Sequence, residues 1–278
     1  MTGIVRLELR RAFRGRSFAV SLGLGCLIVA AHLWRDVVPM AQQGLSSMDL
    51  YGKVPYPPSL YQAWLGTRGS ISLQAVLYFL LLPLLATLPF GASLYSDKKS
   101  GYVVNVRTRV TCAGYYGAKC LAVFSSAAAA VTLPLILDLG LTAVFIPALR
   151  PEPTVGTFPI FEMHLWSTLY YTHPLVYIAV YSLVIALWAG AIGLIALLVS
   201  FVVPNRVLVL AGPLVLLVLA EFAVGLIPFA GSRFSPLTFL RPDQSSLTSG
   251  TAIVVEWCVV MLAVLGVMAW RARVDEAR

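Results

Sequence analysis

Residues Tyr95 to Lys119 read YSDKKSGYVVNVRTRVTCAGYYGAK, a polar and mostly basic island between two long apolar runs. The island carries Lys98, Lys99, Arg107, Arg109 and Lys119 against the single acid Asp97. A chain crossing a bilayer on either side of such a segment leaves it on the cytoplasmic face, because basic loops are retained there. Its placement therefore decides how every other segment is threaded.

The composition around the island is that of a membrane protein. Of 278 residues, 59% are hydrophobic and 12% charged, and several apolar runs reach the ~20 residues needed to cross a ~30 Å hydrocarbon core. A soluble helical protein would show polar faces at helical spacing, and Leu183 to Val203 offers almost none. The fold class expected is an all-α integral membrane protein with six transmembrane helices, 17–34, 71–94, 119–146, 174–203, 207–226 and 251–270. An amphipathic interface helix (1–16) precedes them, a cytoplasmic coupling segment (95–118) joins the second and third, and a re-entrant segment (227–250) precedes the last.

The basic residues test this threading. With both termini cytoplasmic, 14 Lys and Arg fall inside and 6 outside, the asymmetry that sets orientation. The net charge of +8 is thereby read as topology signal and contact with anionic lipid head groups, with no nucleic acid as partner. In the first helix Arg6, Arg10 and Arg14 share a stripe, with Val5, Leu9, Ala12 and Phe13 opposite. This pattern suits a helix lying in the interface. At the end of span one and just beyond it, His32, Trp34, Arg35 and Asp36 stand where a signal peptide would have small residues, so that span is expected to remain as an anchor.

Proline is expected to kink span two at Pro83 and Pro89, and span three at Pro134 with Gly140. A short interfacial helix is expected near Ser59 to Trp64. Trp34, Tyr51, Tyr56, Trp64, Trp166, Tyr170, Tyr171 and Trp270 read as an aromatic belt at the membrane surfaces. Cys26, Cys112, Cys120 and Cys258 form no CxxC and have no histidines at zinc spacing, so they read as reduced packing residues. His32, His164 and His173 are scattered without HxxxH or HExxH spacing, so no metal site is expected.

Three acids, Asp138, Glu221 and Glu256, fall in apolar runs at similar expected depth in the outer half. A charge there is costly, at least ~2.5 kcal/mol on insertion scales. Such groups face a polar path or a partner. They read either as an acidic outer vestibule on a substrate path or as structural hydrogen bonds to Ser, Thr, Tyr or Arg233.

The island has the form D-x-x-S-G-Y-x-x-x-x-x-T-R-x-x-x-x-x-Y-Y-x-x-K. Together with the basic first helix and the broken apolar stretch before span six, it resembles the membrane (permease) subunit of type 2 ABC exporters, over nearly the whole chain. In that family the loop forms the short helix that docks on the nucleotide-binding subunit. The matching positions are Asp97, Lys98, Gly101, Thr108, Arg109, Tyr115 and Lys119, with Arg107 beside them. Asp97 stands where Glu is common. The resemblance implies a pair of permease subunits, identical or related, in the bacterial cytoplasmic membrane. Each would receive a separate cytoplasmic ABC ATPase that binds ATP and Mg, and the assembly would move a lipophilic, peptide or drug-like substrate outward. No GxxxxGK[ST] motif occurs in this sequence, so no catalytic residue and no cofactor is expected on this chain. Two other readings stay open: a non-transporting mechanical module of the same kind, and an intramembrane enzyme.

Overall fold

The computed structural model describes residues 2–43, 57–68, 72–152, 158–162, 164–226, 236–243 and 248–276. Among these residues the chain is helical, with no strand. The first helix, α1 (Thr2–Arg14), ends at Gly15, where extended backbone redirects the chain into α2 (Arg16–His32). Helix α2 runs on through a π-helical turn, Leu33–Val37, into α3 (Val38–Gln43). Next come α4 (Leu60–Ala63) with a 3-10 turn at Leu65–Arg68, α5 (Leu73–Thr87), α6 (Ser93–Lys99) and α7 (Tyr102–Arg107). The longest helix is α8 (Cys112–Phe145), followed by α9 (Ser167–Thr172), α10 (Pro174–Val202), α11 (Arg206–Gly225), α12 (Pro236–Phe239) and α13 (Gly250–Glu276).

Among the described residues, five helical stretches are long and apolar enough to cross a membrane: Arg16–Gln42, Cys112–Phe145, Pro174–Val202, Arg206–Val224 and Gly250–Glu276. The expected second span is not one helix. Helix α5 has 15 residues, about 22 Å at ~1.5 Å per residue, short of a ~30 Å core. Residues 88–92 then form turns before α6. Pro89, which has no N–H to give the helical ladder, falls in that break, whereas Pro83 stays inside α5.

Span three departs from expectation in the other direction. Helix α8 starts at Cys112, seven residues before the expected start, and runs unbroken past Pro134 and Gly140. Its N-terminus is capped by Thr111, whose side chain accepts the Gly114 amide at 3.2 Å. Pro134 instead shapes a helix crossing. A Cβ on Gly25 of α2 would lie 2.7 Å from Pro134 Cγ, so the glycine lets the two helices touch there.

Helices α8 and α10 form the spine, with buried small residues such as Ala127, Ala130, Gly190 and Gly193 along them. A Cβ on Gly193 would lie 2.8 Å from that of Ala127. This close approach suits helices that gain from packing rather than from water exclusion. Helix α4 is not an interfacial float: Leu60, Tyr61, Trp64 and Leu65 are buried in the main core, and Trp64 Nε1 donates to the Leu135 carbonyl of α8 at 3.1 Å. Tyr170 is likewise buried, while Trp34 and Trp270 are exposed, so the belt reading survives only for the latter two among these four. Tyr51 and Tyr56 lie outside the described residues. So do 227–235 and 244–247 of the expected re-entrant segment, of which α12 is described.

Candidate functional site

The bundle end that gathers α1, α6, α7, the start of α8 and the last turns of α13 holds a closed cluster of ionised side chains. Ile4, Glu8 and Ala12 form the buried stripe of α1, one turn apart; of the expected Val5, Leu9, Ala12 and Phe13 face, Ala12 belongs to this stripe and Val5 packs beside it, half-buried. Phe13 and Leu7 are exposed. Glu8 is therefore an acid on a packing face, fully buried. Its Oε2 accepts from Lys119 Nζ at 2.6 Å and its Oε1 from Arg11 Nη1 at 2.7 Å.

Asp97, on α6, closes the cluster from the other side. Its Oδ1 accepts from Arg11 Nη2 at 2.7 Å, and its Oδ2 from Tyr115 Oη at 2.7 Å and Lys119 Nζ at 2.5 Å. Two carboxylates thus face two cations, and the side chain of Lys119 is fully buried. Aromatic rings complete the walls: the Arg11 guanidinium lies 4.4 Å from the Tyr102 ring centre, and Lys119 Nζ 4.7 Å from that of Phe90. Burial pushes the Asp97 carboxyl up, but the hydrogen bond from Arg11, the charge and hydrogen bond of Lys119 and the Tyr115 hydroxyl outweigh it and hold it below its ordinary value. Burial opposes the Arg11 charge as well, and Asp97 and Glu8 outweigh it, so its guanidinium grips its proton more tightly than a free arginine.

Lys119 is consequently spent inside the chain. Its ammonium, at one of the positions the resemblance assigns to the docking loop, is engaged by Glu8 and Asp97 of this chain. Asp97 and Tyr115 join it as anchors. Lys98, Thr108 and Arg109 are exposed, with Lys99, Val104 and Asn105 beside them, and the side chain of Arg107 lies outside the described residues. Lys98 Nζ sits 3.9 Å from the Phe201 ring centre; partial burial and nearby Arg271 lower its proton affinity, with Asp275 opposing. Gly101, at φ +72, joins α6 to α7 in the left-handed region that glycine favours. The island thus has an inward anchor and an outward basic face. Sequence reasoning missed Glu8, Arg11 and Tyr102, although a lone acid in line with Ile4 and Ala12 was a readable signal.

The three intramembrane acids occupy separate settings. Asp138, fully buried, takes His32 Nδ1 on Oδ1 at 2.8 Å and the Leu65 amide on Oδ2 at 2.8 Å. His32 lies within the membrane-length helical stretch Arg16–Gln42. Asp36 lies 3.8 Å from its other ring nitrogen, Nε2, and also accepts from Ser72. Glu221 accepts from Thr238 Oγ1 of α12 at 3.1 Å, the kind of hydrogen bond the structural reading allowed; Arg233 lies outside the described residues. Glu256 is half-buried, and its Oε2 has no hydrogen-bond partner among the described residues. All four cysteines are free, and no group of three or more His, Cys, Asp or Glu among the described residues is placed to hold a metal ion. No family model, curated protein or solved structure matches the chain.

Proposed function

We propose that the chain is the membrane subunit of an ATP-driven exporter of the type 2 ABC kind. Two permease subunits would pair, each carrying a separate cytoplasmic ATPase, and α5 with the turns that follow it, ending near residue 94, would supply a sixth crossing. The observation that carries this reading is the two-sidedness of residues 93–119. Asp97, Tyr115 and Lys119 lock the segment to α1 and α8, while Lys98, Lys99 and Arg109 stay outward. A push on the outward face is passed to α1, α5 and α8 as one unit, because the buried ion pairs resist separation. This is the mechanical requirement for coupling a motor to a channel. In this reading the basic end faces the cytoplasm, as the lysine and arginine distribution favours.

The test is recovery of an ATPase with the tagged protein from native membranes. Lys99→Glu with Arg109→Glu should cut the recovered ATPase by about tenfold, the scale of one or two lost charge-assisted contacts, with membrane insertion intact. Undiminished recovery, or labelling of a Lys99→Cys variant by an impermeant reagent added outside intact cells, would overturn the proposal.

A further inference from the structure

Helix α13 is hydrogen-bonded to the bundle at two places, and between them one face, with buried Val264, Met268 and Ala272, packs into the core shared with α8 and α10. Near its start, Trp257 Nε1 donates to the Leu187 carbonyl of α10 at 3.0 Å. Near its end, Tyr116 Oη donates to Asp275 Oδ2 at 2.6 Å, and the Ala113 amide to Glu276 Oε1 at 3.3 Å. Between these clamps lies a cleft of about 700 Å³ walled by α8, α10 and α13, within the range of sites that take small molecules.

The walls are apolar for almost their whole length, with Leu121 and Phe124 on α8 facing Met261, Leu265 and Met268 on α13. Gly117 lies on the α8 wall, and a Cβ there would meet nothing within 4 Å. It differs in this from Gly190, where an added Cβ would lie 2.5 Å from the Phe124 ring. The missing side chain at 117 serves no helix contact; it keeps the cleft wide.

Polarity is confined to one end. Arg273 lines the mouth beside the basic end, is exposed, and enters no ion pair among the described residues. The acid at the same mouth, Glu276, is occupied by the Ala113 amide. From Arg273 to Trp257 the cleft follows α13 for about 24 Å at ~1.5 Å per residue, more than the ~15 Å depth of one hydrocarbon leaflet. A long apolar slot at membrane depth with a cation at its headgroup end has the polarity profile of a lipid.

We infer that the cleft between α8 and α13 holds an acyl chain of an anionic amphiphile drawn from the leaflet at the basic end, with its head group against Arg273. Binding needs no ATPase, so the inference stands or falls apart from the exporter reading.

The test uses the purified full chain in nanodiscs of phosphatidylcholine doped with phosphatidylglycerol carrying a photoreactive acyl chain, followed by mapping of the labelled peptides. Label should concentrate on the segments around Gly117 and Leu265. Gly117→Phe, or Ala269→Phe from the facing wall, should bring it down to the level of ordinary lipid-facing positions such as Leu216 of α11, with unchanged thermal unfolding. Arg273→Gln should abolish the preference for photoreactive phosphatidylglycerol over its phosphatidylcholine counterpart. Label spread evenly over the exposed helices and indifferent to both Phe variants would overturn the inference. So would a Gly117→Cys protein that cross-links to a second copy through that cysteine, since protein would then cover the cleft.

Discussion

The chain buries ionisable groups at both ends of the same helix, α8, and solves the problem differently each time. At the basic end Lys119 sits with Glu8, Asp97 and Arg11, two charges of each sign within hydrogen-bonding distance. At the other end Asp138 meets one imidazole and one backbone amide. The first arrangement depends on opposite charges and collapses if one is removed. The second depends on donors, and a neutral group of the same shape can satisfy them.

The largest difference between the two should appear on removing the cation. Lys119→Met leaves the buried Glu8 and Asp97 with Arg11 as the cluster's one remaining cation, and its guanidinium is partly exposed. Removing one partner of a buried pair costs about 3–5 kcal/mol. The apparent unfolding temperature in detergent should drop accordingly, and Lys119→Met combined with Glu8→Gln should recover part of the loss. A single variant as stable as the parent would mean that the cluster contributes nothing to holding α1 on α8.

At the opposite end the matched substitutions are Asp138→Ala and Asp138→Asn. Alanine orphans the Leu65 amide and His32 Nδ1, at about 1–3 kcal/mol for each buried donor left unmet. Asparagine should be far milder. Its carbonyl oxygen can accept the Leu65 amide while its NH2 faces Nδ1, so the imidazole hydrogen moves to Nε2, toward Asp36 Oδ2 at 3.8 Å. The NMR signature of the histidine tautomer would check this directly. Equal destabilisation by Ala and Asn would show that Asp138 acts through its charge, as Asp97 does, and would erase the contrast.

Acid sharpens the same comparison. Asp97 is held below its ordinary carboxylate value of 3.8, so in the folded chain it keeps its charge to lower pH than when unfolded. The stability it confers is fully present above that ordinary value and is lost as pH falls through the depressed one. Asp97→Asn should thus be less stable than the parent by a constant margin at neutral pH, and the margin should close only below pH 3.8. A gap that closes around neutrality would place the titrating group elsewhere.

How far each region could be read in advance follows from the range of its interactions. Apolar runs mark most spans because hydropathy is local, and the starts of α10, α11 and α13 lie within a residue of expectation. Hydropathy does not record where a helix stops, however. The expected starts and ends missed Cys112–Ala118 and Arg271–Glu276, polar turns kept helical by the Thr111 cap and by the bonds of Asp275 and Glu276 back to α8. Asp97, Tyr115 and Lys119 stood out within one short island, but their partners Arg11 and Glu8 lie 86 and 111 residues away along the chain. His32 and Asp138 are 106 apart, and no periodicity links them. Local pattern found the groups that needed partners without showing which partners they had.

The smallest expected effect separates anchoring from presentation within the basic end. Gly101 turns the chain from α6, which carries the buried Asp97, into α7, which leads to the exposed Arg109. Its φ of +72 is costly for an L side chain, yet a Cβ there would touch nothing within 4 Å. Gly101→Ala therefore carries only the conformational term, about 1–2 kcal/mol, and Gly101→Asn less, because asparagine tolerates that region. Because the strain falls on the outward side of the turn, faster amide exchange in α7 should accompany it while α1 and the first turns of α8 keep their protection. If exchange rose equally in α1, the ion cluster would be held in place by the turn, and the direction of dependence between anchor and exposed face would be reversed.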